Sequence, residues 1–146
     1  MDDDERRLFE SLKNNFKHYA EKCLRIRSKA GAIEPLILKR AQLFIHDTVE
    51  AQLRDTGKVR ALILKGRQQG CSTYVEARYY WKVTHRRGVR AFILTHEQEA
   101  TNNLFGMAER FHEHMNDLVK PHTGAANAKE LFFDVLDSGY RVGTAG

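Results

Sequence analysis

The chain has 146 residues, 42% of them apolar, and a formal charge of +5 with a pI near 9.3, enough for one packed domain and a balance that favours a polyanionic partner without requiring one. No apolar run approaches the roughly 18 residues of a membrane span, and the acidic start Met1-Asp2-Asp3-Asp4-Glu5 has no apolar stretch directly behind it, so neither secretion nor membrane insertion is indicated. Two cysteines, Cys23 and Cys71, are too few and too far apart for a disulfide framework or a thiolate zinc site, which points to a reducing compartment.

Leu8, Leu12, Phe16, Tyr19 and Cys23 recur at helical spacing and predict an amphipathic helix over residues 4–24. A basic loop with Arg25, Arg27 and Lys29 follows. Leu38, Ala41, Ile45, Val49 and Leu53 mark a second helix, closed at Thr56-Gly57 by a glycine C-cap. Val59-Arg60-Ala61-Leu62-Ile63-Leu64 is short and nearly all apolar, as a strand buried on both faces of a parallel sheet would be. Residues 72–85 read as helix, and after Arg87-Gly88 a second buried strand is predicted over residues 89–94. Thr95 as N-cap with Gln98 three places on has the capping-box spacing, opening a third helix with the stripe Ala100, Leu104, Met107, Phe111 and Met115. Residues 121–129 are loop-like. Leu131-Phe132-Phe133-Asp134-Val135, a turn at Asp137-Ser138-Gly139, and Tyr140-Arg141-Val142-Gly143 predict a β-hairpin. A chain that stops at Ala145-Gly146, directly after a strand, leaves a sheet edge uncovered, and the sequence reads as the beginning of something longer.

Between the first predicted strand and its helix lies Lys65-Gly66-Arg67-Gln68-Gln69-Gly70-Cys71-Ser72-Thr73. A phosphate loop follows G-x-x-x-x-G-K-[ST], in which backbone N–H groups wrap the phosphates, the lysine neutralises the outer ones and the hydroxyl holds Mg²⁺. With Gly70 and Ser72 in register, Lys65 falls on the first glycine position and Cys71 on the lysine position. Most of the cradle consists of backbone donors at a helix N-terminus, so it tolerates that exchange, and a flexible lysine at position 65 reaches back toward the same phosphates. The alternative is a plain glycine turn from strand to helix, and spacing alone does not separate the two.

The residue types add a resemblance. Arg67-Gln68-Gln69-Gly70-Cys71-Ser72-Thr73 after an apolar run resembles the modified phosphate loop of the large terminase subunit, the ATP-driven motor that packages DNA into tailed-phage heads. The likeness runs from Tyr19 to Gly146 and takes in "CLRIRSKAGAIEPLILKRAQLFIHD", "HRRGVRAFILTHEQEATNNLFGMAERFHEH" and "HTGAANAKELFFDVLDSGYRVGTAG". It implies an α/β, P-loop NTPase-like three-layer fold with a mostly parallel sheet, truncated, with N-terminal helices over residues 1–57, and the first part of the ATPase core over residues 58–146. It also implies roles: Lys65 on the β and γ phosphates, Arg67 sensing or stabilising the γ phosphate, and Gly66, Gln68, Gln69, Gly70, Cys71 and Thr73 around the nucleotide. Ser72 would hold Mg²⁺, and Gln42 matches a glutamine that reads adenine, with an exposed helical glutamine as the alternative. Cys71 in the lysine position is the main departure from the family. The implied cofactors are ATP and Mg²⁺. The implied partners are double-stranded DNA, the small terminase subunit, the portal and further copies of the chain, in the cytoplasm of a bacterial host.

Phosphoryl transfer also needs an acidic partner for the metal and a carboxylate to orient water. Glu130, Asp134 and Asp137 are the late acids, and Asp134 and Asp137 fall in a strand and a turn, as structural residues. The family's acidic strand and nuclease domain would lie after residue 146, so this polypeptide is expected to bind nucleotide without turning it over. Other candidates read as structural. His112 and His114 are two apart and diverge on a helix; only by meeting His122 would they form a ligand set, and solvated histidines are the alternative. His96 follows a strand end where ligands bind in open α/β folds. Cys71 lacks a histidine and acid to make it a nucleophile. Tyr79, Tyr80 and Trp81 would form a base-stacking platform or enter the core, and Arg86, Arg87 and Arg90 a DNA contact or a solvated turn. Two rivals stand beside the motor: a non-catalytic module binding DNA or a packaging partner through its basic faces, and a helicase-type ATPase fragment.

Overall fold

Asp2 opens the first helix because its carboxylate accepts the Glu5 N–H at 2.7 Å while the Glu5 carboxylate accepts the Asp2 N–H at 3.1 Å, which satisfies two of the amides a helix start leaves bare. The structure, a computed structural model, describes residues 2–63, 70–116, 120–126 and 130–145. The predicted helix over residues 4–24 is two helices, α1 (Asp3–Asn14) and α2 (Phe16–Cys23). Asn15 divides them. It takes an extended backbone, ends α1 and caps α2 by accepting the His18 N–H. Short polar side chains that compete for backbone partners favour such joints. The predicted stripe is otherwise kept, with Leu12, Phe16, Tyr19 and Cys23 buried and Leu8 exposed.

The expected basic loop is a small antiparallel hairpin, β1 (Arg25–Arg27) with β2 (Ile33–Pro35), turned at Gly31 with a positive φ of 87°. Helix α3 (Arg40–Thr56) ends as predicted, on Gly57 in the left-handed conformation with its N–H on the Leu53 carbonyl. Its buried side chains are Gln42, His46 and Val49, whereas Leu53 is exposed, so polar contacts rotate the helix away from the expected apolar stripe.

The largest departure follows. Residues 59–63 form no strand, and Leu62 is 100% exposed. The backbone N–H and C=O of Arg60 are taken by the side-chain amide of Gln52 on α3, at 3.0 and 3.2 Å, in place of a neighbouring strand. The buried strand expected at residues 59–64 is therefore absent over the five of its residues that are described, and the β-loop-α-β unit built on it is not formed among the described residues.

Helix α4 (Cys71–His85) leads to β3 (Arg90–Thr95) and α5 (Gln98–Glu113). Thr95 is not the N-cap. Glu97 is, and the Thr95 hydroxyl bonds the Glu97 carbonyl and the Thr101 hydroxyl, which in turn meets Thr144 at 2.6 Å. The polar chain ties the start of α5 to the sheet. The buried face of α5, Thr101, Phe105, Ala108 and Phe111, lies one position round from most of the expected stripe.

The hairpin is as predicted: β5 (Glu130–Phe133) and β6 (Ser138–Thr144), joined by a turn in which Asp137 has a positive φ. A two-residue strand, β4 (Ala125–Ala126), adds to β5. The sheet order is β3-β6-β5-β4. Among the described residues only β3 with β6 is parallel, so the sheet is mixed where a mostly parallel one was expected. Helices α4 and α5 cover one face, where Ile93, Leu131, Phe133, Tyr140 and Val142 enter the core. The opposite face carries Arg90, Phe92, Leu94 and Arg141, with Phe92 54% exposed, so the described residues make two layers where three were expected. Alternation along β3 is the physical mark of a strand covered on one side only. The fold is mixed α/β, and no helix of the described residues is long and apolar enough to cross a membrane.

Candidate functional site

A helix start becomes a site when its free amides point into accessible space, so the first turn of α4 decides the chemistry. Gly70 is its N-cap, with φ 75° and ψ 15°, a left-handed conformation that carries no Cβ penalty in glycine alone. Lys65, Gly66, Arg67, Gln68 and Gln69 lie outside the described residues. Cys71 is buried, Ser72 exposed and Thr73 half-buried.

Gln42 is the residue that fixes this start. It is 4% exposed, not the exposed helical glutamine that the sequence allowed. Its amide nitrogen donates to the Gly70 carbonyl at 3.0 Å, and its carbonyl accepts the Lys39 N–H at 2.8 Å. The amide thus joins the entry of α3 to the entry of α4. One turn on, His46 Nδ1 meets the Tyr74 hydroxyl at 3.0 Å, and one turn further Arg78 donates to Glu50 at 2.6 Å. Positions 42, 46 and 50 of α3 face 70, 74 and 78 of α4, so the two helices run side by side with their N-termini together. Burial pulls the His46 imidazole below its usual range.

A G70A variant is expected to lose about 1–3 kcal/mol, because the left-handed backbone is strained for alanine and a Cβ there would stand 2.5 Å from the Gln42 amide nitrogen. Urea midpoints read the loss, and adding Q42A should recover the part due to the clash. Equal stability of G70A and the unmutated chain would remove Gln42 from this role.

Beside the first turn of α4 lies a cleft of about 200 Å³, lined by Ile63, Cys71, Ser72, Val75, Glu76, Ile93 and Leu104. It sits between α4, α5 and β3. Another concavity, at Asp3, Arg6, Arg7 and Glu10, is a surface of four exposed side chains on α1 alone.

Sequence reasoning missed the cleft's most unusual group. Glu76 is 1% exposed; its Oε1 accepts the Tyr140 hydroxyl at 2.7 Å, and Oε2 has no partner among the described residues. Burial pushes its carboxyl up to about 8, against a smaller downward effect of the Tyr140 hydrogen bond. Tyr140 is raised far above its ordinary range, by burial first and then by the adjoining Glu76. An acid four positions after Ser72, inside the aromatic run Tyr74 to Trp81, was the available signal. Its partner stands 64 residues away and was not legible.

No protein-family model matches the chain, and no curated protein does. The site therefore rests on its own geometry. Gln42 is brought against Gly70, and Cys71 and Ser72 follow in the first turn of α4. His112 is held by the Tyr80 and Thr123 hydroxyls, His122 pairs with Asp134, and no group of three or more metal-ligating side chains occurs among the described residues. Tyr80 is buried, Trp81 donates to the Leu12 carbonyl and Tyr79 alone of the three is exposed, so no base-stacking platform forms there. Arg90 pairs with Asp137 and lies over Phe132, whereas Arg86 and Arg87 are exposed. Asp134 and Asp137 stand in the hairpin turn, where Asp134 accepts the Val135 N–H and pairs with His122 and Asp137 pairs with Arg90; Asp134 lies just past the strand to which it was assigned.

Proposed function

We propose that this chain is the N-terminal part of a terminase-like ATPase domain and binds a nucleotide triphosphate at the start of α4. The observation that carries the reading is the left-handed Gly70, clamped by Gln42, at the head of a 15-residue helix whose first turn borders a cleft. The amides of a helix start and the helix dipole favour an anion. The Ser72 side chain is at the cleft's rim, suited to Mg²⁺, and Cys71 turns inward, where a small side chain leaves the anion's place open. Glu76 Oε2, without a partner among the described residues, is a further polar group at the cleft, which fits a metal-bound nucleotide.

In this reading Lys65 and Arg67 supply the charge on the outer phosphates, and a Mg²⁺ held at Ser72 would neutralise part of the phosphates' own charge. Gln42 positions the junction, and its adenine-reading role belongs to the same proposal. The motor would act on double-stranded DNA as a ring of copies, with the small subunit and portal, in a bacterial host. Addition of Mg-ATP at about a hundred times its dissociation constant should stabilise the fold by about 2.7 kcal/mol, and K65A should abolish the effect. Thermal melts read both. Absence of any ATP effect in the unmutated chain, together with salt-sensitive DNA binding, would instead favour the non-catalytic module, whose support is the open sheet face where Arg90 lies over Phe132 and Arg141 over Phe92.

A further inference from the structure

A carboxyl group offers about four acceptor positions, and a buried one is costly unless they are filled. Glu76 has one oxygen on the Tyr140 hydroxyl and the other on no described group. It stands one helical turn after Ser72, so the two side chains share a face of α4, and both line the cleft with Cys71, Val75, Ile93 and Leu104. Ser72 is exposed and Glu76 buried, so the cleft runs inward from a hydroxyl to a carboxyl. At its outer end the amides of a helix start attract an anion; at its inner end one carboxyl oxygen has no partner among the described residues. One ligand satisfies both ends: an anion that carries a cation.

We propose that Glu76 is the acidic side chain that receives the divalent cation of a metal–nucleotide in this cleft, directly or through a metal-bound water, with Ser72 on the outer side. The proposal rests on the nucleotide reading above. Mg²⁺ keeps several of its waters and is held by one or two carboxylates plus phosphate oxygens, so a single carboxylate suffices. Tyr140, anchored in β6, fixes Oε1 and leaves Oε2 for the ion's shell. The walls from Ile63, Val75, Ile93 and Leu104 are apolar, which strengthens an attraction that water would screen. Of the late acids, Asp134 is spent on His122 and Asp137 on Arg90.

The test is ATP binding to the 146-residue chain, first in EDTA and then with Mg²⁺, for the unmutated protein, E76Q and E76D, each shown to be folded by its circular dichroism melt. Metal-free affinities should agree within about twofold, because Glu76 does not touch the phosphates. Mg²⁺ should tighten binding to the unmutated chain by about tenfold or more, the scale on which lost metal-site groups act. E76Q should show almost none of that gain, and E76D, a methylene shorter, only part of it. Full retention of the Mg²⁺ gain in E76Q, or in E76D where E76Q does not fold, overturns the proposal. Loss of metal-free binding in the folded variants overturns it as well, since Glu76 would then be supporting the loop itself. Absence of ATP binding by the unmutated chain in both conditions overturns the nucleotide reading, and this inference with it.

Discussion

Relative to E76Q, the unfolding free energy of the unmutated chain is expected to fall by about 2 kcal/mol between pH 6 and pH 8. Glu76 rises from an ordinary value of 4.5 to about 8 on folding, because the core that buries it disfavours the charged form. A raised acid holds its proton more tightly in the folded than in the unfolded state. Its favourable contribution is therefore complete below pH 4.5, shrinks as pH rises and is gone above about 8. Across that whole window the change amounts to about 5 kcal/mol at most. His46, His85 and His112 are each lowered by burial and act in the opposite sense, favouring the fold as pH rises through the ordinary histidine range. Subtracting the E76Q profile cancels them. Urea titrations at intervals of half a pH unit read the difference, and parallel profiles for the two proteins would mean that Glu76 is ionised and solvated in solution.

F16A should cost about 3–5 kcal/mol, the range for truncating a buried phenylalanine. Phe16 is 2% exposed and begins α2, yet its ring meets three side chains of two other helices: His46 of α3 at 5.7 Å, and Tyr74 edge-on at 5.5 Å and Trp81 at 5.4 Å, both of α4, between centroids. The Arg78 guanidinium also lies 5.9 Å from its centroid, a cation–π contact strengthened by burial. The ring packs against the middle of the ladder that aligns α3 with α4. Its loss should therefore loosen the Gln42 clamp as well as open a cavity, and hydrogen exchange should quicken in the first turns of both helices. F16L, which refills much of the volume, should recover about half of the stability. A loss below about 1 kcal/mol would show that the ladder holds the helices without the ring.

Periodicity located every long helix, because a stripe of Leu12, Phe16, Tyr19 and Cys23 or of Phe111 and Met115 has one way to reach a core. Turn chemistry located the ends: Gly57 stops α3 and the Asp137 turn joins β5 to β6, since both require a conformation that few residues accept. The junction at Gly70 was legible for the same reason. Pattern failed where a partner from elsewhere in the chain decides. An apolar run at residues 59–63 looks like a buried strand, but a strand exists only with a neighbour, and Gln52 takes the Arg60 backbone instead. Strand β3 reads as buried on both sides, but among the described residues only one side is covered. The rotation of α3 came from Gln42, His46 and Glu50, polar residues that burial statistics place outside and whose partners at 70, 74 and 78 let them in. The sequence by itself determined the helices, the hairpin and the glycine at the head of α4, all of which depend on neighbours within a turn or two. Only the tertiary structure decided the strand order and the meeting of Glu76 with Tyr140, because hydrogen bonds and desolvation across 64 residues of chain leave no periodic mark.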